Sequence, residues 1–447
     1  MAHPDPSPDP PQSLTLRDAY LFFFPLIFMA EMMMISHSVI HAFLARMPDP
    51  RTTLAAYNVA FSFHSIAGAP IWTAVMTSLA FIGDRRSAVR LVIFHLWVAG
   101  VIFVVGYAFA LTSLGDILFS RLMGASPLVA HEAKRALLVF MLVPPVTIFR
   151  ALCYALLMKN RRTVLITIGT SIRLIALAGF LVVLPKIFSG ATVGAAALLA
   201  CISVETVLAL IISRRELAAL PDVREGHNSD YAEMWRFAWP LMLVQASENG
   251  VAFTINFFLG RLARPDLALA SFGVMDGLWK LMLSSLRNLA QTAQALVQTR
   301  EDRQCVLHFT FQVVAIFVAL TGLLYFSPAR RFVLDAVMGL TAELSEATGP
   351  SLLFFPVMAV VLGYSAVFRG LLLGVRISKP VALSAGVRLV VVMLVGGLAL
   401  VMPGMSGAVL GILTLIAAFG SEALVLGWRV RRPGRTVWPS AVDTASP

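Results

Sequence analysis

Apolar residues run along the chain in about twelve blocks, each near the ~20 residues a helix needs to cross a bilayer. The blocks cover 18–45, 53–82, 91–118, 132–158, 163–184, 190–213, 234–260, 267–298, 304–326, 347–374, 380–401 and 405–428. Most connections are short. The longest internal one, 214–233, holds Arg214, Arg215, Pro221, Asp222, Arg224, Glu225, Gly226 and Asp230 and falls near the midpoint. The first stretch, MAHPDPSPDPPQS, is polar and Pro-rich, as in a disordered tail. The pattern predicts an all-α membrane protein. A tail, 1–17, precedes a six-helix bundle, 18–213; a cytoplasmic linker, 214–233, leads to a second six-helix bundle, 234–428, and a cytoplasmic tail, 429–447.

The two halves resemble each other. Phe24-Pro25 matches Trp239-Pro240, and Arg46 matches Arg261, both at one offset. Ala-Tyr-Asn-Val at 56–59 matches Ser-Phe-Gly-Val at 271–274 at the same offset. Ile172-Arg173-Leu174 matches Val387-Arg388-Leu389, and Val204-Glu205 matches Ser421-Glu422. Phe149-Arg150 is matched with Phe368-Arg369. An even number of helices per half gives both repeats one orientation, related by an axis along the membrane normal, a plan found in transporters.

Composition agrees. The chain is 58% hydrophobic and 13% charged, against about 25% charged in soluble domains. The formal net charge of +11 does not point to nucleic acid, because the surplus cations sit in short loops between apolar blocks. With the N-terminus inside, 19 Lys and Arg fall in inside segments and 10 in outside segments. Both termini are therefore expected in the cytoplasm, in the inner (plasma) membrane if the chain is bacterial. Cys153, Cys201 and Cys305 are far apart and form neither a disulfide framework nor a metal-ligand spacing. There is no Gly-rich phosphate loop, no His-Glu-x-x-His and no framed nucleophile. No enzyme activity, cofactor or metal is expected.

Ionisable groups at membrane depth are costly, and they line cavities or pair with one another. In the eighth block Lys280, Ser284, Arg287, Gln291, Gln294 and Gln298 are spaced 4, 3, 4, 3 and 4, one helical stripe. Lys280 and Arg287 fit an anion receptor; Gln294 and Gln298 read as a solvated helix end. Asp276 lies one turn from Lys280 and can pair with it. In the seventh block Gln245, Glu248, Asn249 and Asn256 form either a cavity wall or interhelical hydrogen bonds. Arg173 with Glu205, and Arg388 with Glu422, read as equivalent buried bridges. Arg150 and Arg369 lie near cytoplasmic helix ends, where they snorkel to headgroups or guard a cavity mouth. Glu31, six residues after Pro25, is a candidate proton-coupling group with His37 or His64, or part of a buried hydrogen-bond network. His37 and His41 stand one turn apart, without a third metal ligand. Pro25, Pro70, Pro144, Pro145, Pro240 and Pro356 allow bending within or beside spans.

Several segments in order resemble a known family. They are Leu-Ala-Ala-Tyr-Asn-Val-Ala-Phe-Ser at 54–62, Lys-Arg-Ala-Leu-Leu at 134–138, Phe-Ala-Trp-Pro-Leu at 237–241, Val387-Arg388-Leu389 through Pro403, Gly407-Ala408-Val409-Leu410-Gly411 and Gly420-Ser421-Glu422. With the twelve-helix repeat, they resemble the progressive ankylosis (ANK) family within the multidrug/oligosaccharidyl-lipid/polysaccharide exporter (MOP) superfamily, whose fold is MATE-like. The resemblance implies export of organic anions; the vertebrate member is associated with release of ATP, the source of extracellular pyrophosphate, and of citrate. The family's long acidic tails are absent. The residues then suggest a substrate site of Lys280, Arg287, Asn58, Gln245, Asn256 and Gln291. A coupling or charge network would hold Glu31, His37, His64, Glu248, Asp276, Arg173, Arg388, Glu205 and Glu422. The expected partners are a small anionic substrate and membrane lipids, and a monomer is expected to suffice. Rival readings are a lipid-linked sugar flippase, a multidrug antiporter with an acidic cavity, an integral-membrane lipid-modifying enzyme, and a receptor without flux.

Overall fold

The computed structural model describes residues 14–44, 46–122, 125–223, 230–259, 261–262, 264–338, 340–399 and 405–431. Most of both expected tails, 1–13 and 432–447, and linker residues 224–229 lie outside the described residues, as does the side chain of Asn249.

The described residues form twelve long helices and no strand. In the first half they are α1 (Leu16–Leu44), α2 (Pro50–Ala67, continuing as Ala74–Phe81), α3 (Arg85–Leu111), α4 (Pro127–Phe140, continuing as Val143–Lys159), α5 (Thr163–Val183) and α6 (Ala191–Ile212). The second half has α7 (Tyr231–Leu259), α8 (Pro265–Leu283, continuing as Leu289–Leu296), α9 (Arg300–Phe326), α10 (Ala342–Thr348, continuing as Phe355–Gly374), α11 (Lys379–Ala399) and α12 (Gly407–Arg431). Ten helices are long and apolar enough to span a membrane, and the bent α2 makes eleven. The twelfth, α7, is 29 residues long; Gln245, Glu248 and Asn256 depress its hydropathy.

The repeat extends to local structure. At the offset that relates Arg173 to Arg388, α1, α3 and the second limb of α2 recur as α7, α9 and the second limb of α8. Pro25 and Pro240 sit inside α1 and α7. A helical proline frees the carbonyl four residues back. Thr163 Oγ1 donates to the freed Leu21 carbonyl (3.4 Å), and Ser378 Oγ to the freed Arg236 carbonyl (3.3 Å). Arg161 and Arg376 both take left-handed backbones, φ 57° and 56°. Each closes its helix with two reversed hydrogen bonds, Arg161 N to Met158 O and Arg162 N to Leu157 O, and Arg376 N to Leu373 O and Ile377 N to Leu372 O.

Two expected continuous spans are broken. α2 bends by 57° around Gly68–Thr73, where Pro70 interrupts the hydrogen-bond ladder. α8 carries a 3-10 turn at Ser284–Asn288, without a proline. The two breaks occupy the same place in the repeat, and mid-helix 3-10 turns often mark functional hinges.

α1 to α6 pack on one another, as do α7 to α12. The halves meet where the chain enters α1 and α7. There, Tyr20 Oη donates to Gln312 (2.9 Å), Gln294 Nε2 to Met76 O (2.8 Å) and Arg376 Nε to Ala80 O (2.9 Å). Phe81 packs edge-on to Phe237, and Phe23 to Phe309. Deeper in, Asn288 Nδ2 reaches Leu26 O (2.9 Å). No hydrogen bond joins the opposite ends of α1 and α2 to those of α7 and α8 among the described residues. The first limb of α2 packs chiefly on helices of the first half, and the first limb of α8 on those of the second, so the seam is shut at the termini end and parted at the other.

Within the second half, α10 lies directly on the second limb of α8. A Cβ at Gly370 would stand 2.8 Å from the Ala290 carbonyl carbon and 2.9 Å from its Cα. Gly374, one turn on, faces Gln294 O at 3.5 Å, so the Gly-x-x-x-Gly spacing lets the backbones approach. Gly370→Leu should destabilise the protein by about 1–3 kcal/mol through overpacking, whereas Gly386→Ala, with nothing within 4 Å, should be silent. Thermal unfolding in detergent checks this; equal melting of both variants contradicts the packing.

Candidate functional site

Burying an arginine in a bundle demands a carboxylate and further hydrogen bonds, because a lone buried charge is far too costly. Both halves meet this demand. In the first, Glu205 on α6 accepts from Arg150, from Arg173 at 3.3 Å, from Tyr154 Oη at 2.7 Å and from Thr170 Oγ1 at 2.7 Å. Arg173 also donates to Ser36 Oγ at 2.8 Å. In the second, Glu422 on α12 accepts from Arg369 and, at 2.8 Å, from Arg388. Arg388 donates further to Ser247 Oγ and, at 2.9 Å, to Val244 O.

The second half adds a second carboxylate. Glu248 on α7 accepts from Arg369 at 3.0 Å and Arg388 at 3.4 Å, and its other oxygen takes Arg287 at 2.7 Å. Glu422 and Arg388 are fully buried. Arg287 is different: it sits on the 3-10 turn of α8 and its side chain is 39% exposed. Its guanidinium lies 5.8 Å from the ring centres of both Trp279 and Phe419. One nitrogen is committed to Glu248, and other donors of the fork remain.

Arg287 and Glu248 separate two cavities. One, of about 320 Å³, lies between the halves, with Phe61, Ser62, Ser65 and Ile66 of α2 facing Asp276, Lys280 and Arg287 of α8. The other, of about 140 Å³, lies deeper and is lined by Trp72, Met76, Gln245, Gln291 and Arg369 among others. Lys280, 46% exposed, pairs with Asp276 at 2.5 Å, and Asp276 also accepts from Trp279 Nε1 at 3.0 Å. Lys280, Arg287, Arg369 and Arg388 thus face Glu248, Glu422 and Asp276, an excess of one positive charge.

The structure brings together Lys280, Arg287, Gln245, Gln291, Glu248 and Asp276 around these cavities, with Arg388 and Glu422 behind them in the buried network. Asn58 and Asn256 are exposed and line neither cavity; they stand one turn beyond Ser62 and Ala252, toward the parted end. Arg173 and Glu205 form the first-half network, away from the cavities. Glu31, His37 and His64 are also elsewhere. His37 packs on Phe61 with ring centres 4.9 Å apart, and buried His64 stacks on Phe140 at 5.2 Å. No hydrogen bond or ion pair joins Glu31 to either histidine among the described residues.

Three sequence expectations need correction. Arg150 and Arg369 do not snorkel to headgroups: both face the bundle interior and are held by Glu205 and Glu422. They are not repeat equivalents either, because the helix ends that the repeat offset superposes are Lys159 of α4 and Gly374 of α10. That register sets Tyr154 opposite Arg369, with Arg150 one turn away. Gln294 is not on a solvated helix end; it is buried in the seam, donating to Met76 O. Ser36, Thr170 and Ser247 are not legible as network members, since Ser and Thr hydroxyls in apolar helices usually bond their own backbone, and Tyr154 reads as an ordinary aromatic of an apolar span.

No protein-family model matches the chain. Solved structures do. The eukaryotic MATE transporter AtDTX14 superposes with a TM-score of 0.75 at 13% identity, over 96% of this chain and 97% of that one. The Vibrio cholerae MATE transporter VcmN gives 0.71 at 15% identity, over 94% and 98%. This chain has the MATE fold. A MOP superfamily transporter from Pyrococcus furiosus, whose structure is described as showing reverse polarity of the binding pocket, gives 0.69 at 13% identity, over 93% and 95%. The MATE fold and the apolar helices together make this an integral, multi-pass membrane protein.

Within this MATE fold the buried network should behave as one unit. Glu422→Ala leaves Arg369 and Arg388 sharing Glu248 as their one remaining carboxylate and should cost about 3–5 kcal/mol, the usual effect of breaking a buried pair. Glu343→Ala, which removes the exposed partner of Arg264, should cost at most about 1 kcal/mol. Melting of the two variants checks this; indistinguishable losses contradict a structural network.

Proposed function

We propose that this MATE-fold protein transports small organic anions, citrate-like carboxylates or nucleotides, by alternating access between its two bundles. The observation that carries the reading is Arg287. Its guanidinium stands in a cavity between the halves, oriented by Glu248, Trp279 and Phe419, with donors left for a ligand. A planar fork held this way suits a carboxylate or phosphate taken through two hydrogen bonds. Lys280, paired with Asp276, supplies a second positive group at the cavity, and Gln245 and Gln291 add amide groups in the deeper cavity.

The state of this structure is the one that releases substrate, open at the parted end, where Lys280 is exposed. With both termini cytoplasmic, as the basic bias of the loops suggests, that end faces outward. Export then requires the opposite state, with the contacts at the termini end broken and the far ends joined. The breaks in α2 and α8 are natural hinges for this rocking. The cavity is formed within one chain, so a monomer suffices.

A multidrug antiporter shares the architecture, and Phe61 and Phe419 would suit a lipophilic cation. Against it, each cavity carboxylate is already bound to a basic side chain, and the network carries a surplus of positive charge. The Pyrococcus furiosus transporter, with its described reverse polarity, is a precedent for this fold serving a pocket of another charge.

Proteoliposomes containing the purified protein test the reading with radiolabelled citrate and ATP beside a cationic dye. Saturable anion uptake without dye movement is expected. Lys280→Ala/Arg287→Ala should lower it at least about tenfold, the loss of one or two charge-assisted hydrogen bonds, with insertion unchanged. Dye movement without anion flux, or full anion flux in the double variant, contradicts the proposal.

A further inference from the structure

A second basic cavity lies at the termini end, apart from the first two. It has a volume of about 420 Å³ and is lined by Glu233, Arg236, Arg376, Lys379 and Arg429, with Phe81 and Phe237 among its walls. Four cations thus meet one carboxylate. Glu233 is taken by Arg376 at 3.4 Å. Arg236, Lys379 and Arg429 have no ion-pair partner among the described residues.

The surroundings identify the occupant. Arg236 lies in the second turn of α7, Lys379 is the first residue of α11, and Arg429 lies in the last turn of α12. One turn deeper on the same faces stand exposed apolar side chains, Trp239 and then Leu243 beyond Arg236, and Leu383 beyond Lys379. Trp235 and Trp428, also exposed, flank the same level, as tryptophans do at membrane interfaces. Cations at headgroup depth above lipid-facing apolar surface match the two parts of a phospholipid. A soluble phosphate would have no use for the apolar part.

We propose that this cavity binds the phosphate of an anionic phospholipid in the leaflet on the termini side, with the acyl chains along Leu243 and Leu383. Arg376 connects the site to the seam. From the same cavity it donates to Ala80 O of the other half and lies 4.5 Å from the Phe81 ring centre. A bound lipid phosphate stabilises the cation cluster that includes Arg376, and so favours the state closed at this end. Ser378 Oγ, bonded to the carbonyl that Pro240 frees on Arg236, fixes the start of α11 against α7 and so the spacing of Arg236 and Lys379.

Native mass spectrometry of the full chain in detergent, with equal phosphatidylglycerol and phosphatidylcholine added, tests the proposal. Preferential retention of phosphatidylglycerol is expected. It should fall about fivefold for each cation removed, the effect of one basic side chain near an anionic surface, along the series Lys379→Gln, Lys379→Gln/Arg236→Gln and the triple variant with Arg429→Gln. The single variant is the mildest and keeps the test valid if the triple fails to fold. Retention of both lipids alike, or unchanged preference in Lys379→Gln, overturns the site. Displacement of phosphatidylglycerol by millimolar glycerol phosphate as effectively as by added phosphatidylglycerol overturns the lipid assignment in favour of a soluble phosphate.

Discussion

The arrangement rests on one constraint: arginines inside a helical bundle keep their charge, so every one needs a carboxylate within reach. Glu205 meets it alone in the first half and Glu422 together with Glu248 in the second, and Glu205 and Glu422 each tie three helices of their half together. Arg150 on α4 and Arg173 on α5 converge on α6; Arg369 on α10 and Arg388 on α11 converge on α12. These nodes bind the helices of each half to one another. Such pairs add little net stability over a well-packed apolar core. Their consequence is specificity, since only one mutual placement of the helices satisfies all the donors.

The halves then diverge from a shared plan. Under the repeat offset, Glu248, Asp276 and Arg287 correspond to Met33, Phe61 and Trp72. Charged groups in one half thus take the places of apolar and aromatic groups in the other. The cavity between the halves inherits this difference: a charged wall from α7 and α8 faces an aromatic and hydroxyl wall from α2. The second half presents ions, and the first half closes over them. The breaks in α2 and α8 remain equivalent in position, although proline accounts for only one of them.

Much of the fold is legible in the chain because membrane helices must be long and apolar, and because the repeated segments keep their order at a nearly constant offset. The offset identified Arg173 with Arg388 and anticipated their pairing with Glu205 and Glu422. The i, i+4 spacing anticipated Lys280 with Asp276. Arg150 was misassigned to Arg369 for a physical reason: a shift of one helical turn leaves a Phe-Arg pair on nearly the same face, so the sequence match looks equally good. Whether an arginine near a helix end points to headgroups or into the bundle depends on the neighbouring helices, which a single strand of residues does not display. The break at Ser284–Asn288 was hidden for a similar reason. No proline or glycine marks it, and the helical stripe Lys280, Ser284 and Arg287 runs unbroken through it in the sequence.

The central claim is that Arg287, though bound to Glu248, remains available to an anion. Isothermal titration of citrate into the purified protein measures this without any assumption about coupling or direction. Saturable binding that weakens with added salt and disappears in Arg287→Met is expected. Absence of citrate binding to the native protein, or equal binding to the Arg287→Met variant, would contradict it.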